Sequence, residues 1–83
     1  MFEYKLFNQL PAWSQVDVLN KNGTILAQRQ HKDYTITLFY LNNYFVELWQ
    51  KHGLEIIGTF HESVNPLTIL EPYTESIHLP SAF

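Results

Sequence analysis

The clearest pattern in this chain is a run of strand-like segments in its middle part. Each segment is rich in β-branched and aromatic residues, and short polar turns separate one segment from the next. The predicted strands are Thr24–His31, Tyr34–Leu41, Tyr44–Gln50 and Leu54–His61. Because links of two residues can only join antiparallel neighbours, the pattern predicts a four-stranded antiparallel meander.

The links between these segments have the composition of tight hairpin turns. Asn42-Asn43 tolerates the left-handed backbone conformation that such a turn requires. Lys32-Asp33 and His52-Gly53 have the same length and fit the same role. The three turns therefore fix which residues face each other across the predicted strands.

Helical spacing precedes the predicted sheet. Pro11 suits the first turn of a helix over residues 11–21, and Gly23 suits its C-terminal end. The apolar residues that share one face of this helix are Leu10, Trp13, Val16 and Leu19. The alternative for the same residues is a strand that ends in an Asn-Lys-Asn-Gly turn, because Val16-Asp17-Val18 also alternates.

A second helical signal follows the sheet. Leu70, Tyr73 and Ile77 are spaced three and four residues apart, and a proline fits the first turn, so we predict a short helix over Glu71–Ile77. We expect Asn65–Leu70 to be a turn or an irregular segment, because Pro72 would kink a longer helix. Residues 1–83 are therefore predicted to form a single small α+β domain. It is a four-stranded antiparallel β-meander with a short N-terminal helix and a short C-terminal helix packed on one face.

The predicted turns sort the side chains onto two faces of the sheet, because successive residues of a strand point to opposite sides. They place Ile25 opposite Tyr40, and Glu47 between Leu38 and Gly58. Face one contains Ile25, Ala27, Ile36, Leu38, Tyr40, Phe45, Trp49, Leu54, Ile56 and Phe60, with Arg29 and Glu47 among them. Face two contains Leu26, Phe39, Leu41, Tyr44, Val46, Leu48 and Ile57, with several polar residues. Face one is the more apolar, so we expect both helices to cover it.

Face two then keeps an apolar cluster on the side that faces water. Antiparallel sheets with helices on one side normally have polar residues on the other, and large apolar patches are rare on monomers. We therefore predict that face two packs against a second copy of the chain. The predicted interface residues are Phe39, Leu41, Tyr44, Val46, Leu48 and Ile57. The alternative is that the N-terminal segment Met1–Leu10 folds back over face two, with Phe2, Tyr4, Leu6 and Phe7 covering it.

Glu47 is the first candidate for chemistry, because the predicted register places its carboxylate on the core face. A buried carboxylate must be paired, hydrogen-bonded or protonated. Gly58 leaves space beside it, and Arg29 is long enough to reach it. The functional hypothesis is a small-ligand pocket, whose predicted ligand-binding residues are Glu47, Arg29, Tyr40 and Trp49. The alternative is a buried Arg29–Glu47 ion pair, or a glutamate at an open sheet edge.

Composition narrows the classes of partner. Charged residues make up 16% of the chain, and the net charge is −3. Nucleic-acid binders usually cluster Lys and Arg on one face, whereas the basic residues here are scattered, so we expect no nucleic-acid partner. No stretch approaches the 18 or so apolar residues of a membrane span, and we expect no membrane association. The N-terminus lacks the pattern of a signal peptide, which predicts a cytoplasmic location.

Sequence motifs for catalysis and metal binding are missing. The chain has no cysteine, no Gly-x-Ser-x-Gly turn and no glycine-rich phosphate loop. No two of the four histidines have the spacing of metal ligands, so we expect no metal and no other cofactor. The leading hypothesis is a non-catalytic protein-interaction module that forms a homodimer or binds another protein. A small-ligand-binding domain is the alternative, and an enzyme has the least support.

Overall fold

In the computed structural model, residues 3–74 are described, and they form one four-stranded antiparallel sheet with helices on both sides. The strands are β1 (Thr24–His31), β2 (Tyr34–Leu41), β3 (Tyr44–Lys51) and β4 (Leu54–Thr59), in the spatial order β1-β2-β3-β4. The predicted α+β class and the antiparallel meander are confirmed. The predicted strand bounds hold, except that β3 extends to Lys51 and β4 ends before Phe60.

The two-residue turns form at all three predicted positions. Asn42 and Asn43 have φ values of 45° and 75°, and His52 and Gly53 have φ values of 46° and 84°. Left-handed conformation at both central residues is the requirement of the hairpin turns that match the twist of the flanking strands. The register of β2, β3 and β4 is consequently the predicted one, and Glu47 lies between Leu38 and Gly58.

The register of β1 departs from the prediction at its first residues. An irregularity between Ile25 and Ala27 inserts one extra residue into β1. Thr24, and not Ile25, lies opposite Tyr40, while Ile25 lies opposite the face-two residue Phe39. The assignment of Ile25 to face one is therefore wrong, because counting outward from a turn cannot reveal a bulge.

Two helices precede the sheet, where the sequence predicted one. They are α1 (Tyr4–Gln9) and α2 (Ala12–Asn22). The predicted helix over residues 11–21 is confirmed, and the strand alternative for these residues is wrong. Leu10 separates the two helices in an extended conformation, with φ −75° and ψ 148°. Proline disfavours the helical conformation of the residue before it, so Pro11 ends α1 and starts α2.

Helix α2 is rotated away from the predicted apolar face. Its buried residues are Gln15, Val18 and Leu19, whereas Trp13 is 76% exposed. The buried amide of Gln15 donates a hydrogen bond of 2.9 Å to the carbonyl oxygen of Phe7 near the end of α1. This bond satisfies both buried polar groups and joins the two helices, which accounts for a glutamine on the inner face.

Gly23 ends α2 as predicted, but for a reason other than a left-handed backbone. Its φ of −79° is accessible to any residue. A Cβ atom at this position would lie 2.7 Å from the carbonyl oxygen of Leu19 and 2.9 Å from Cδ1 of Phe39. The absence of a side chain lets the last turn of α2 approach β2 closely.

The chain after β4 contains two short helical elements, α3 (Pro66–Leu70) and a 3-10 helix (Glu71–Tyr73). The expectation of an irregular Asn65–Leu70 is wrong, because the Asn65 side chain caps α3 by accepting a 2.9 Å hydrogen bond from the Leu67 amide. The predicted helix over Glu71–Ile77 is replaced by the 3-10 helix up to Tyr73. Residues 75–77 of that prediction lie outside the described residues.

The helices cover opposite faces of the sheet, and the expectation that both pack on one face is wrong. On face two, Phe7 of α1 and two residues of α2 pack against the apolar cluster, which consists of Phe39, Leu41, Tyr44, Val46 and Leu48, with Ile57 at its margin. On face one, Ile69 and Tyr73 pack against Ala27, Ile36 and Leu38. Tyr4 also packs on face two and Leu6 is exposed, while Phe2 lies outside the described residues.

The predicted interface on face two is therefore corrected. The chain's own helices cover this cluster, and its five central residues are between 0% and 4% exposed. The alternative from the sequence, cover by the N-terminal segment, describes face two better, with α2 as a second covering element. The other end of face two is polar, with side-chain hydrogen bonds across neighbouring strands. They join Gln28 to Thr37, Gln30 to Thr35 and Gln50 to Glu55.

Candidate functional site

The carboxylate of Glu47, the first candidate for chemistry from the sequence, lies on face one in the middle of β3. Glu47 is buried, with Leu38 opposite it on β2 and Gly58 opposite it on β4. The 3-10 helix after α3 brings Tyr73 over this position. Glu47 therefore lies where the sheet meets the C-terminal helical elements.

Three side chains contact the Glu47 carboxylate. Trp49 Nε1 donates a hydrogen bond of 3.0 Å to Oε1. The Tyr73 hydroxyl donates a hydrogen bond of 2.6 Å to Oε2, a length typical of a hydroxyl that donates to a charged oxygen. A guanidinium nitrogen of Arg29 lies 3.6 Å from the same oxygen and completes an ion pair. Both carboxylate oxygens thus have partners from within the chain.

The guanidinium of Arg29 lies between two aromatic rings. Its Cζ atom is 5.5 Å from the centroid of Trp49 and 5.2 Å from the centroid of Tyr73. These distances are in the range of cation–π attraction, and the side chain of Arg29 is only 19% exposed. Its buried Nε atom has no hydrogen-bond partner among the described residues. The ion pair and the two rings together offset the partial burial of this charge.

The environment of Tyr73 keeps its hydroxyl protonated. Burial is the largest cause that raises the pKa of Tyr73 well above its usual value of 10.0, and its hydrogen bond to the anionic Glu47 raises it further. The hydroxyl therefore remains a hydrogen-bond donor throughout the neutral range. It serves as a fixed partner of the carboxylate and does not release a proton near pH 7.

The structure brings together three of the four predicted pocket residues, which are Arg29, Glu47 and Trp49. Tyr40 lies elsewhere, near the Asn42-Asn43 turn, where its hydroxyl donates a 3.2 Å hydrogen bond to Asn43. Tyr73 takes the place that Tyr40 was expected to fill. Its spacing from Leu70 marked it as a buried helical residue, but no signal in the sequence indicated which sheet face it covers.

This arrangement corresponds to the structural alternative, an internal ion pair with added hydrogen bonds. A ligand that approached Glu47 would have to displace Trp49, Tyr73 or Arg29 from the carboxylate. The space next to Gly58, the residue opposite Glu47 on β4, is nevertheless unoccupied. A Cβ atom built on Gly58 meets no other described atom within 4 Å. The space lies at the β4 edge of the sheet.

One serine–histidine contact exists outside this network. Nδ1 of His61 accepts the backbone N–H of Ser63 at 3.1 Å and lies 2.8 Å from its hydroxyl, which consequently donates to it. Both side chains are exposed, and no ion pair to this histidine occurs in residues 3–74. The contact has the form of a local loop-stabilising motif. Within the same part of the chain, no cluster of three potential metal ligands is found.

Strand β4 exposes two large aliphatic side chains. Leu54 and Ile56 are 59% and 49% exposed, and both lie on face one. Strands β1 and β4 are the two edges of the sheet. The other large exposed apolar residues are Leu6, Trp13, Ile25, Leu26, Tyr40 and Leu67.

Comparison with protein-family models, with curated proteins and with solved structures found no significant match to this chain. In the part of the chain that the structure describes, no helix has the length and apolar composition needed to cross a membrane.

Proposed function

We propose that this chain is a non-catalytic protein-interaction module that associates by adding a strand to the open edge of β4. The observation that carries the proposal is that β4 is an edge strand with a regular ladder and two exposed aliphatic side chains. The other edge strand, β1, also exposes two aliphatic residues, Ile25 and Leu26, but they lie at its bulge. An edge of this kind presents unpaired backbone donors and acceptors to a partner strand. The Glu47 network, whose groups are already paired with each other, supports a structural role better than a ligand pocket.

The backbone groups available at β4 follow from the pairing of its other side. The amide of Phe60 donates a 3.1 Å hydrogen bond to the carbonyl of Phe45, the residue opposite it. In an antiparallel ladder such pairs alternate, so Leu54, Ile56 and Gly58 also direct their backbone groups toward β3. The backbone groups of Glu55, Ile57 and Thr59 point away from the sheet. They have no backbone hydrogen bond to other described residues on that side.

The two edges of the sheet differ in how well they are protected. Natural edge strands discourage pairing by bulges, by proline and by charged side chains, lysine above all. Strand β1 contains a bulge near Ala27 and carries Arg29 between two glutamines. Strand β4 has a regular register, no proline and no lysine, and its one charge, Glu55, accepts a hydrogen bond from Gln50. The edge of β4 is therefore the more favourable one for strand addition.

The proposal is tested by titrating the ¹⁵N-labelled chain with a soluble peptide of alternating isoleucine and threonine, flanked by lysines. We expect amide shift changes concentrated at Glu55, Ile57 and Thr59. Replacing Glu55 by proline removes an outward N–H and leaves the backbone bonds to β3 in place, although it also removes the side-chain hydrogen bond from Gln50. We expect affinity to fall about tenfold or more, the equivalent of one or two hydrogen bonds.

The matched control is Gln30→Pro, which removes an outward N–H from the other edge strand, β1. This variant should bind the peptide as the unmodified chain does. Shift changes that map to β1, a loss of binding in Gln30→Pro but not in Glu55→Pro, or no shift at β4 with millimolar peptide at concentrations where the chain is monomeric would each overturn the proposal.

A further inference from the structure

We infer that the strand added to β4 is β4 of a second copy, paired antiparallel about a twofold axis at Ile57. The inference rests on the proposed function and specifies its partner. The product is a closed dimer with one continuous eight-stranded sheet, because identical edges that pair about a twofold axis leave neither β4 edge free.

The backbone geometry of β4 selects this register. Only Glu55, Ile57 and Thr59 offer outward backbone groups, so these residues must face each other across the pair. Pairing Ile57 with Ile57 of the second copy sets Glu55 opposite Thr59 at both ends. All three outward residues of each copy then form hydrogen-bonded pairs. A shift of the axis by one residue in either direction sends one outer pair beyond the strand, whose bounds are Leu54 and Thr59.

The side chains on face one fit the same register. Ile56 lies opposite Gly58 of the second copy, and no described atom occupies the space beside that glycine. Leu54 lies opposite Phe60 of the second copy, which packs at the margin of the face-one core. In this register Ile56 has room beside Gly58, and Leu54 is covered by an aromatic ring.

The charge on the edge is compatible with this register. Glu55 lies opposite a threonine, whereas an axis at residue 55 would oppose the two glutamates directly and destabilise the pair. In the inferred register the two glutamates are offset by four residues along the strands, about 13 Å, which exceeds the Debye length at physiological salt. A single pair of edges is a small interface, so we expect a dissociation constant on the order of micromolar.

The register is tested by cysteine cross-linking, to which the chain is suited because it contains no cysteine. Glu55→Cys and Thr59→Cys are prepared separately and then mixed under mild oxidation. Opposed residues are about 5.5 Å apart at their Cα atoms, within the range of a disulfide, whereas each residue is about 13 Å from its own copy. We expect a cross-linked dimer from the mixture and little from either variant alone.

A second measurement is the oligomeric state by sedimentation equilibrium at high micromolar concentration. Thr59→Glu should weaken dimerisation about tenfold or more, because it sets a glutamate directly opposite Glu55 of the second copy at both ends of the pair. The matched control is Thr59→Gln, which has the same size without the charge and should leave the dimer close to that of the unmodified chain. Circular dichroism checks that both variants remain folded.

The outcomes separate this inference from the proposed function. A monomeric chain whose β4 still binds the alternating peptide overturns the inference and leaves the function intact. Equal cross-linking by either cysteine variant alone overturns the register. Assembly that grows without limit with concentration indicates pairing of β4 with β1 of the next copy and also overturns the closed dimer. If β4 engages neither the peptide nor a second copy, both proposals fail.

Discussion

The two faces of the sheet are covered by helices in chemically different ways. On face two, α1 and α2 contribute Phe7, Val18 and Leu19 to a cluster of aliphatic and aromatic side chains. On face one, the C-terminal helical elements are joined to the sheet by the hydrogen bond from Tyr73 to Glu47 as well as by apolar contacts. Hydrophobic burial is non-directional, whereas a carboxylate with three partners defines one geometry.

This difference has a consequence for how each face responds to substitution. The free energy lost on face two should scale with the volume removed, because cavity and transfer costs dominate there. On face one, small polar changes should matter out of proportion to their volume, because each leaves a buried partner without its hydrogen bond. Four predictions test the contrast, beginning with the largest expected effect.

Phe7→Ala should have the largest effect, because Phe7 of α1 is fully buried against the face-two cluster. Removing a buried phenylalanine side chain costs about 3–5 kcal/mol of unfolding free energy. Chemical denaturation measures the loss. Leu6→Ala in the same helix is the control, and as Leu6 is 50% exposed, a much smaller cost is expected. Similar costs for both variants would contradict the docking of α1 on face two.

Tyr73→Phe tests the network on face one, since it removes the hydroxyl and keeps the ring. We expect a loss of about 1.5–3 kcal/mol, the range for a hydrogen bond to a charged group. A double-mutant cycle with Glu47→Gln should show strong coupling. Tyr40→Phe, at a residue outside the network, should cost far less. If the cycle showed no coupling between Tyr73 and Glu47, the hydrogen-bonded network on face one would be contradicted. If Glu47→Gln left stability unchanged, a ligand pocket would again be a candidate role for this carboxylate.

Alkaline pH should weaken both faces, because each buries a tyrosine. Burial raises the pKa of Tyr44 on face two to about 12, and that of Tyr73 is also raised. With the pKa raised in the folded state, the folded chain holds its protons longer than the unfolded chain. The stabilisation is complete below pH 10 and is lost as the pH rises from 10 through the folded pKa, at roughly 1.4 kcal/mol per pH unit for each tyrosine.

Denaturation between pH 9 and 11.5, together with tyrosinate absorbance, measures this dependence. Tyr44→Phe should lose stability less steeply above pH 10 than the unmodified chain, because one of the two titrating groups is absent. Equal slopes for the two proteins would show that Tyr44 ionises as freely in the folded chain as in the unfolded one.

Trp13→Ala should have the smallest effect, although the sequence pattern placed Trp13 on the same helical face as Leu19. Trp13 is 76% exposed and Leu19 is fully buried. Substitution of exposed residues usually changes stability by less than about 0.5 kcal/mol, whereas Leu19→Ala should cost about 2–5 kcal/mol. If the two variants lost comparable stability in thermal or chemical denaturation, the result would support the orientation of α2 that the sequence predicted, with Trp13 on the inner face.

The register of the hairpins was predictable because it depends on local chemistry. The Asn42-Asn43 and His52-Gly53 turns have left-handed conformation at both central residues, as two-residue hairpins need, and they determine every pairing from β2 to β4. The pairing in turn placed Glu47 on the core face, two strands away from Arg29. The bulge between Ile25 and Ala27 was not predicted, because the residues of the turn do not show whether the strand contains an extra residue further along.

The missing parts of the candidate site have a different cause. Tyr73 and Glu47 are 26 residues apart in the chain, and their contact depends on the path of the segment between β4 and the 3-10 helix. Nothing in the local spacing around Tyr73 specifies that path. Tyr40 lay on the correct face of the correct strand, but its position along the sheet keeps it from the carboxylate.

The sequence alone determined the class of fold, the four strands, their turns, most of their register and the α2 helix, because these follow from residues close together in the chain. Only the tertiary structure decided that the helices take opposite faces. Both faces contain apolar residues, so periodicity could not choose between them. The choice depends on how α2 approaches Phe39 through Gly23 and on how Tyr73 reaches Glu47. That division buried the apolar cluster of face two within the chain and left β4 as an edge strand of the sheet.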